Sequence, residues 1–264
     1  MAEEKKNKVK QAIALEYNPS EDAPKVIASG KGVLAEKIIA KAQENGEIKY
    51  MVNAAGVSPS QAPIEAILKV DLYGTAVLLE EVGKVIAEGG AGVTISSQSG
   101  WRMPQLTPEQ DRQLAMTPTE ELLDLEILQP ENIKDTLRAY QMAKRCNEKR
   151  VMYECVKWGE RGARLNDIAP GIIVTPLAID EFNGPRGDFY KNMFAKCPAG
   201  RPGTADEMAS IAELLMSDAG AFMVGHVTGA LGEYELITTT YRGDKDIDGI
   251  LVSTERLIAG WADR

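Results

Sequence analysis

An α/β fold, a parallel sheet covered by helices on both faces, is what this sequence predicts. Short apolar runs alternate with longer stretches whose apolar residues recur at helical spacing, the pattern of successive β-α-β crossovers. Two of the runs end in small or turn-forming residues, Asn53-Ala-Ala-Gly56 and Pro170-Gly171. Three segments of capping-box form, at Thr107, Thr117 and Thr204, mark helix starts later in the chain.

The elements follow in order. Residues 1–8 are charged and read as a frayed end. Gln11–Tyr17 alternates loosely and reads as a strand, Asn18–Pro24 as a turn, and Lys25–Ala28 as a short strand. Gly30-Lys-Gly32 then opens a helix from Val33 to Asn45, with Leu34, Ile38, Ile39 and Ala42 on one face. Ile48–Val52 is an apolar strand, Ile64–Ala87 a long helix, and Gly92–Ser96 a buried strand. Thr107-Pro-Glu-Gln110 and Thr117-Pro-Thr-Glu120 place proline at the first helical position and start two short helices inside a polar insert. Asn132–Trp158 is a long helix and Ala163–Ile168 a strand. Thr204-Ala-Asp-Glu207 opens a helix to Ser217; Glu235–Tyr241 reads as a strand and Ile250–Trp261 as a helix.

Bulk numbers exclude several functions. The chain has 264 residues, 44% hydrophobic and 26% charged, which fits a soluble globular body rather than a disordered one. Its formal charge of −9 argues against nucleic acid as a partner, since a phosphate backbone calls for a basic face. No apolar run has the length of a membrane span, and the opening Met1-Ala-Glu-Glu has no apolar signal core. The three cysteines show no paired spacing and fit a reducing, cytoplasmic setting. With His226 as the single histidine, a metal site and a histidine-based triad are both disfavoured.

Tyr-x-x-x-Lys occurs three times, at Tyr140/Lys144, Tyr153/Lys157 and Tyr241/Lys245. Only Tyr140 leaves room for the rest of a helix, a turn and a strand before Pro170. Four residues apart on a helix, a phenol and an ammonium share one face and can meet one ligand.

Five ordered segments carry a resemblance. Asn53-Ala-Ala-Gly56, Thr94-Ile-Ser-Ser97, Tyr140/Lys144, Arg164-Leu-Asn through Pro170-Gly171 to Thr175, and Gly200-Arg-Pro-Gly203 with Glu207 resemble motifs of the short-chain dehydrogenase/reductase family, over residues 48 to 225. The resemblance implies a Rossmann-like parallel sheet flanked by helices and an NAD(P)-dependent oxidoreductase that interconverts an alcohol and a carbonyl by hydride transfer. Tyr140 would move the proton. A free phenol, with a pKa of about 10, is a poor base near neutrality, and an ammonium close by favours the phenolate. Lys144 would also bond the nicotinamide ribose, and Ser97 would donate to the reacting oxygen. Ser96 and Ser99 are close rivals for that role; motif register selects Ser97. Asp71 stands where the family has a helix asparagine that supports a water relay. By match, Asn53, Ala55 and Gly56 would lie along the cofactor, with Tyr140, Lys144, Pro170, Gly171, Ile173 and Thr175 completing its site. Residues 176–197, with Met193 and Phe194, read either as a substrate lid or as a surface loop.

The beginning departs from that family. Only 52 residues precede Asn53, where the family has roughly 80 or more in three β-α units. The N-terminal β-α-β units are thus expected to be truncated or replaced. Gly30-Lys-Gly32-Val-Leu-Ala35 is the nearest substitute for a glycine-rich phosphate turn, and nothing nearby supplies a residue to read the ribose. Residues 11–46 instead resemble the cytoplasmic domain of flagellar and type III secretion export-switch proteins. Their self-cleaving tetrad would fall at Asn7–Lys10, which here reads Asn-Lys-Val-Lys, so no cleavage is implied. The expected organisation is an atypical segment at 1–46, a reductase-like body at 47–225, and an unplaced strand and helix at 226–264. Expected partners are a small-molecule alcohol or carbonyl and a further copy of the chain, with neither nucleic acid nor membrane. A non-catalytic, export-associated protein on a degenerate reductase body is the rival reading.

Overall fold

The computed structural model describes residues 11–16, 25–31, 48–60, 62–184, 187–195, 199–225, 227–230 and 238–239. It divides into two units, Met1–Ile48 and Lys49–Arg264. In the first, β1 (Gln11–Glu16) pairs antiparallel with β2 (Lys25–Lys31), with a register irregularity between Ala14 and Leu15. β2 runs on through Gly30 and Lys31, so the turn expected at Gly30 does not start there. The helices expected over 33–45 and 250–261 lie outside the described residues.

The second unit is built on a sheet of order β3 (Ile48–Asn53), β4 (Ile86–Ile95), β5 (Arg164–Pro170), β6 (Val227–Ala230), β7 (Thr238–Thr239). β4, β5 and β6 run parallel, and β7 closes the described edge antiparallel to β6. Its helices are α1 (Ile64–Ile67), continued by a π-helical stretch Leu68–Gly74 into α2 (Thr75–Gly83), then α3 (Pro108–Met116), α4 (Thr136–Glu160), α5 (Pro176–Asn183), α6 (Gly187–Ala195) and α7 (Ala205–Met216). This is the Rossmann-like α/β arrangement that the sequence predicts.

Strand pleating shows how both faces are covered. Successive side chains alternate across a strand. Val93 and Ile168 pack with Ala212 and Leu215 of α7. Their neighbours point the other way: Ala169 packs with Met152 of α4 and Ala115 of α3, and Gly92 approaches Trp158 of α4. The helical layer has its own core, where Ile67, Leu68 and Leu72 meet Leu114, Leu122, Leu128, Met142 and Cys146.

Several boundaries differ from expectation for physical reasons. The helix expected to reach Ala87 stops at Gly83, because the chain turns at Lys84 and enters β4 at Ile86. β4 begins six residues earlier than Gly92 and turns at Gly89, whose φ of 67° suits glycine. Thr117 does not cap a helix: Pro118 takes the cap position without a side-chain bond, and the chain makes three 3-10 turns at Thr119–Asp124, Glu126–Leu128 and Pro130–Asn132. Leu122 and Leu128 in these turns are buried and add to the core. The boxes at Thr107 and Thr204 form as written, each side chain accepting from the backbone N–H three residues on. α4 starts at Thr136 rather than Asn132, because Asp135 caps it through Arg138 N–H.

Candidate active site

The C-terminal ends of β3, β4 and β5 open on a cavity of about 410 Å³. Ligand crevices of open α/β sheets lie at such ends. Its walls are the loop Ala54–Pro59 after β3, Ile95–Ser99 after β4, and Pro170 to Thr175 after β5. α4 contributes Leu137, Tyr140, Gln141 and Lys144, successive positions on one helix face.

Tyr140 and Lys144 therefore meet one cavity. The Lys144 Nζ lies 5.4 Å from the centre of the Tyr140 ring and donates to the carbonyl of Ile95 at 3.1 Å. That bond ties the buried amine to the end of β4, leaving its other protons to the cavity. Ser97 is half-buried; its Oγ accepts from Ser99 N–H at 3.1 Å and caps the short turn Gln98–Gly100, so its own proton is available to a ligand oxygen.

Asn53 is buried rather than on the wall. Its Nδ2 donates to Thr75 Oγ1 at 3.1 Å and its Oδ1 accepts from Ala55 N–H at 3.3 Å, fixing the loop whose Ala55 and Gly56 do face the cavity. Asp71 reaches the wall from the π-helical stretch, a distortion common at functional sites. Its Oδ1 accepts from Val57 N–H at 2.8 Å, while its Oδ2 is buried without a partner. Burial pushes the Asp71 carboxyl above the usual aspartate range, against the pull of the Lys144 ammonium and the Val57 N–H.

Pro170, Gly171, Ile173 and Thr175 line the third wall. Ile173 bridges to Gly203, where a Cβ would lie 2.7 Å from the Ile173 Cδ1, so a larger residue there would push the end of the Ile173 side chain aside. Thr175 Oγ1 accepts from Ala178 N–H at 3.2 Å at the start of α5. The stretch 176–197 forms α5 and α6 over its described part, and Phe182, Phe189, Tyr190 and Met193 from these helices line the cavity. Phe182 and Phe189 meet Tyr190 edge-to-face, with ring centres 6.3 and 5.6 Å away.

The other tyrosine-lysine pair within the described residues is occupied elsewhere. Lys157 Nζ sits 4.3 Å from the Tyr153 ring centre and pairs with Glu154 at 2.8 Å, beside a separate hollow. Sequence reasoning passed over Glu148 and Asp167, which meet Ser96 of the cavity wall from behind. Ser96 Oγ donates to Asp167 and lies 3.4 Å from Glu148 Oε1, and all three residues are buried. The available signal was Glu148 standing four residues after Lys144 on one helix.

Among the described residues no helix is long and apolar enough to cross a membrane. None of their histidine, cysteine or carboxylate side chains cluster as a metal site would.

Comparison with known proteins now bears on this geometry. A family model described as enoyl-(acyl carrier protein) reductase matches residues 109–230, and the model of the FlhB HrpN YscU SpaS family matches residues 6–54. The short-chain dehydrogenase/reductase bsc3 of Alternaria brassicicola is 36% identical over 186 residues, covering 70% of this chain and 68% of that protein. The 3-alpha-hydroxysteroid dehydrogenase/carbonyl reductase of Comamonas testosteroni is 28% identical over 202 residues, covering 75% and 76%. Among solved structures, 3-alpha-hydroxysteroid dehydrogenase from Pseudomonas sp. B-0831 complexed with NADH matches with a TM-score of 0.62 at 24% identity, over 75% of this chain and 78% of that one. Residues 6–54 are thus similar to the export family, and the chain belongs to the short-chain dehydrogenase/reductase family, a family of oxidoreductases.

Proposed function

We propose that the chain is an NAD(P)-dependent oxidoreductase that interconverts an alcohol and a carbonyl through Tyr140, Lys144 and Ser97. One observation carries the reading: Tyr140 and Lys144 project from consecutive turns of α4 into a cavity walled by the ends of three strands. The walls fit the nicotinamide end of a cofactor. Ala54–Gly56 offers a backbone path with little side-chain bulk, Lys144 keeps protons directed inward, and Asp71 Oδ2 lacks a partner at the wall.

When bound, the nicotinamide supplies or accepts the hydride. Tyr140 then moves a proton at its phenol oxygen, and Ser97 donates to the substrate oxygen from an Oγ already oriented by Ser99 N–H. Lys144, anchored on the Ile95 carbonyl, bonds the ribose and places positive charge beside Tyr140. Asp71 faces Lys144 and holds the loop at Val57. Asn53 acts through that loop, while Ala55, Gly56, Pro170, Gly171, Ile173 and Thr175, which line the cavity, would hold the cofactor. Phe182, Phe189, Tyr190 and Met193 make the substrate wall apolar, which suits the alicyclic carbonyl of a steroid-like compound better than a polyol.

The test is titration with NADH and NADPH, followed by thermal shift and by turnover of cyclic ketones. Stabilisation by cofactor that is lost in Lys144→Ala, with turnover falling about 10²–10⁴-fold in Tyr140→Phe, is expected. Failure of millimolar cofactor to shift the melting temperature would turn the assignment toward a non-catalytic role.

A further inference from the structure

Behind the cavity wall, the ends of β4 and β5 and the middle of α4 bring two carboxyl groups to one hydroxyl. Ser96 Oγ donates to Asp167 Oδ2 and stands 3.4 Å from Glu148 Oε1. Glu148 and Asp167 are both fully buried, and Glu148 Oε2 and Asp167 Oδ1 have no hydrogen-bond partner. A hydroxyl has one proton to give. If Ser96 gives it to Asp167, the fully buried Glu148 is left 3.4 Å from that hydroxyl with no donor at Oε2, a setting that disfavours a charge.

We infer that Glu148 and Asp167 hold one proton between them through Ser96, Glu148 carrying it, so that Asp167 is the anion set behind Lys144. The surrounding charges decide which group is ionised. Arg145 and Lys149 face Glu148 from its own helix and favour its charged form, but Asp111 of α3 shares them: Arg145 Nε reaches Asp111 Oδ1 at 2.9 Å, and Lys149 Nζ lies 3.4 Å from Oδ2. Asp167, by contrast, accepts from Ser96 and feels the Lys144 ammonium, both of which favour its charged form. Asp71 of the π-helical stretch faces the same ammonium. Burial pushes both carboxyls well above their ordinary ranges, and for Glu148 the nearby Asp167 pushes further. Two like charges in one dry site do not ionise together. Glu148 is then a neutral acid, and Asp167 a positioning residue for the lysine and for the strand end that carries Ser97.

The shared proton is read without turnover; only the effect on Lys144 rests on the proposed reaction. Infrared spectra of the full chain near neutrality should show a buried protonated carboxyl that disappears in Glu148→Gln. A carboxyl whose folded pKa is raised contributes stability that is present below its unfolded value and lost as pH rises through the folded one. Glu148→Gln should therefore gain on the native chain as pH rises, with the gap closing below about pH 4. In turnover, Asp167→Asn removes a charge and should move the pH profile to lower pH by on the order of one unit, whereas Glu148→Gln, neutral for neutral, should leave it in place. A carboxyl band that survives in Glu148→Gln, or unfolding curves of the two proteins that stay parallel across pH, would overturn the inference even with the oxidoreductase reading intact. Equal displacement of the pH profile by both substitutions would overturn it too.

Discussion

Asp71 combines two demands on a single side chain. One oxygen is fixed by the Val57 N–H, and the other is buried beside the cavity with no partner. Burial outweighs the attraction of Lys144, since the carboxyl is held above its usual range. A raised carboxyl pKa means the folded state binds the proton more tightly than the unfolded chain does. Stability is then fullest below the unfolded value and declines as pH rises through the folded one. Asp71→Asn keeps an acceptor for Val57, adds donors and removes the buried charge. It is expected to stabilise the chain by on the order of 1 kcal/mol near neutrality and by less in mild acid, as urea unfolding at two pH values would show. Stability unchanged at both pH values would mean that water or Lys144 already satisfies the free oxygen.

At the scale of elements, Trp158 explains two glycines. Its ring is fully buried in the last turns of α4, and its Nε1 donates to the Leu79 carbonyl of α2 at 3.1 Å. A Cβ at Gly83 would lie 2.6 Å from that nitrogen, and one at Gly92 would lie 2.7 Å from the ring's far edge. Three elements thus close on one indole. Trp158→Ala should cost about 3–5 kcal/mol. Gly92→Ala should cost about 1–3 kcal/mol by overpacking, with secondary structure retained in circular dichroism. The indole's place was not legible in the sequence, because it depends on pairs separated by 79 residues along the chain. What was legible was local. Capping boxes at Thr107 and Thr204 fixed two helix starts, and the spacing from Tyr140 to Pro170 separated the cavity-facing pair from Tyr153/Lys157. The π-helical stretch escaped notice because it leaves the apolar pattern of Ile67, Leu68 and Leu72 nearly unchanged. The box at Thr117 misled because its side chain has the right spacing but Pro118 stands at the cap.

For the whole molecule, cofactor preference is a question of charge. On the proposed reading the matched wall segments would serve the reacting end of the cofactor, whereas NADH and NADPH differ by a phosphate at the far ribose. The long-range field of the chain acts on that phosphate. With a formal charge of −9, that field disfavours the extra phosphate. Screening limits the effect, because charges more than about 8 Å apart are largely hidden at physiological ionic strength. NADH is therefore expected to bind more tightly than NADPH, by less than about tenfold, or roughly 1.4 kcal/mol. The ratio should widen as salt is lowered. Fluorescence titration of both cofactors at two ionic strengths checks this. A preference of a hundredfold or more, unmoved by salt, would point to a specific side chain at the ribose, and the residues before Asn53 would be the place to look for it by substitution.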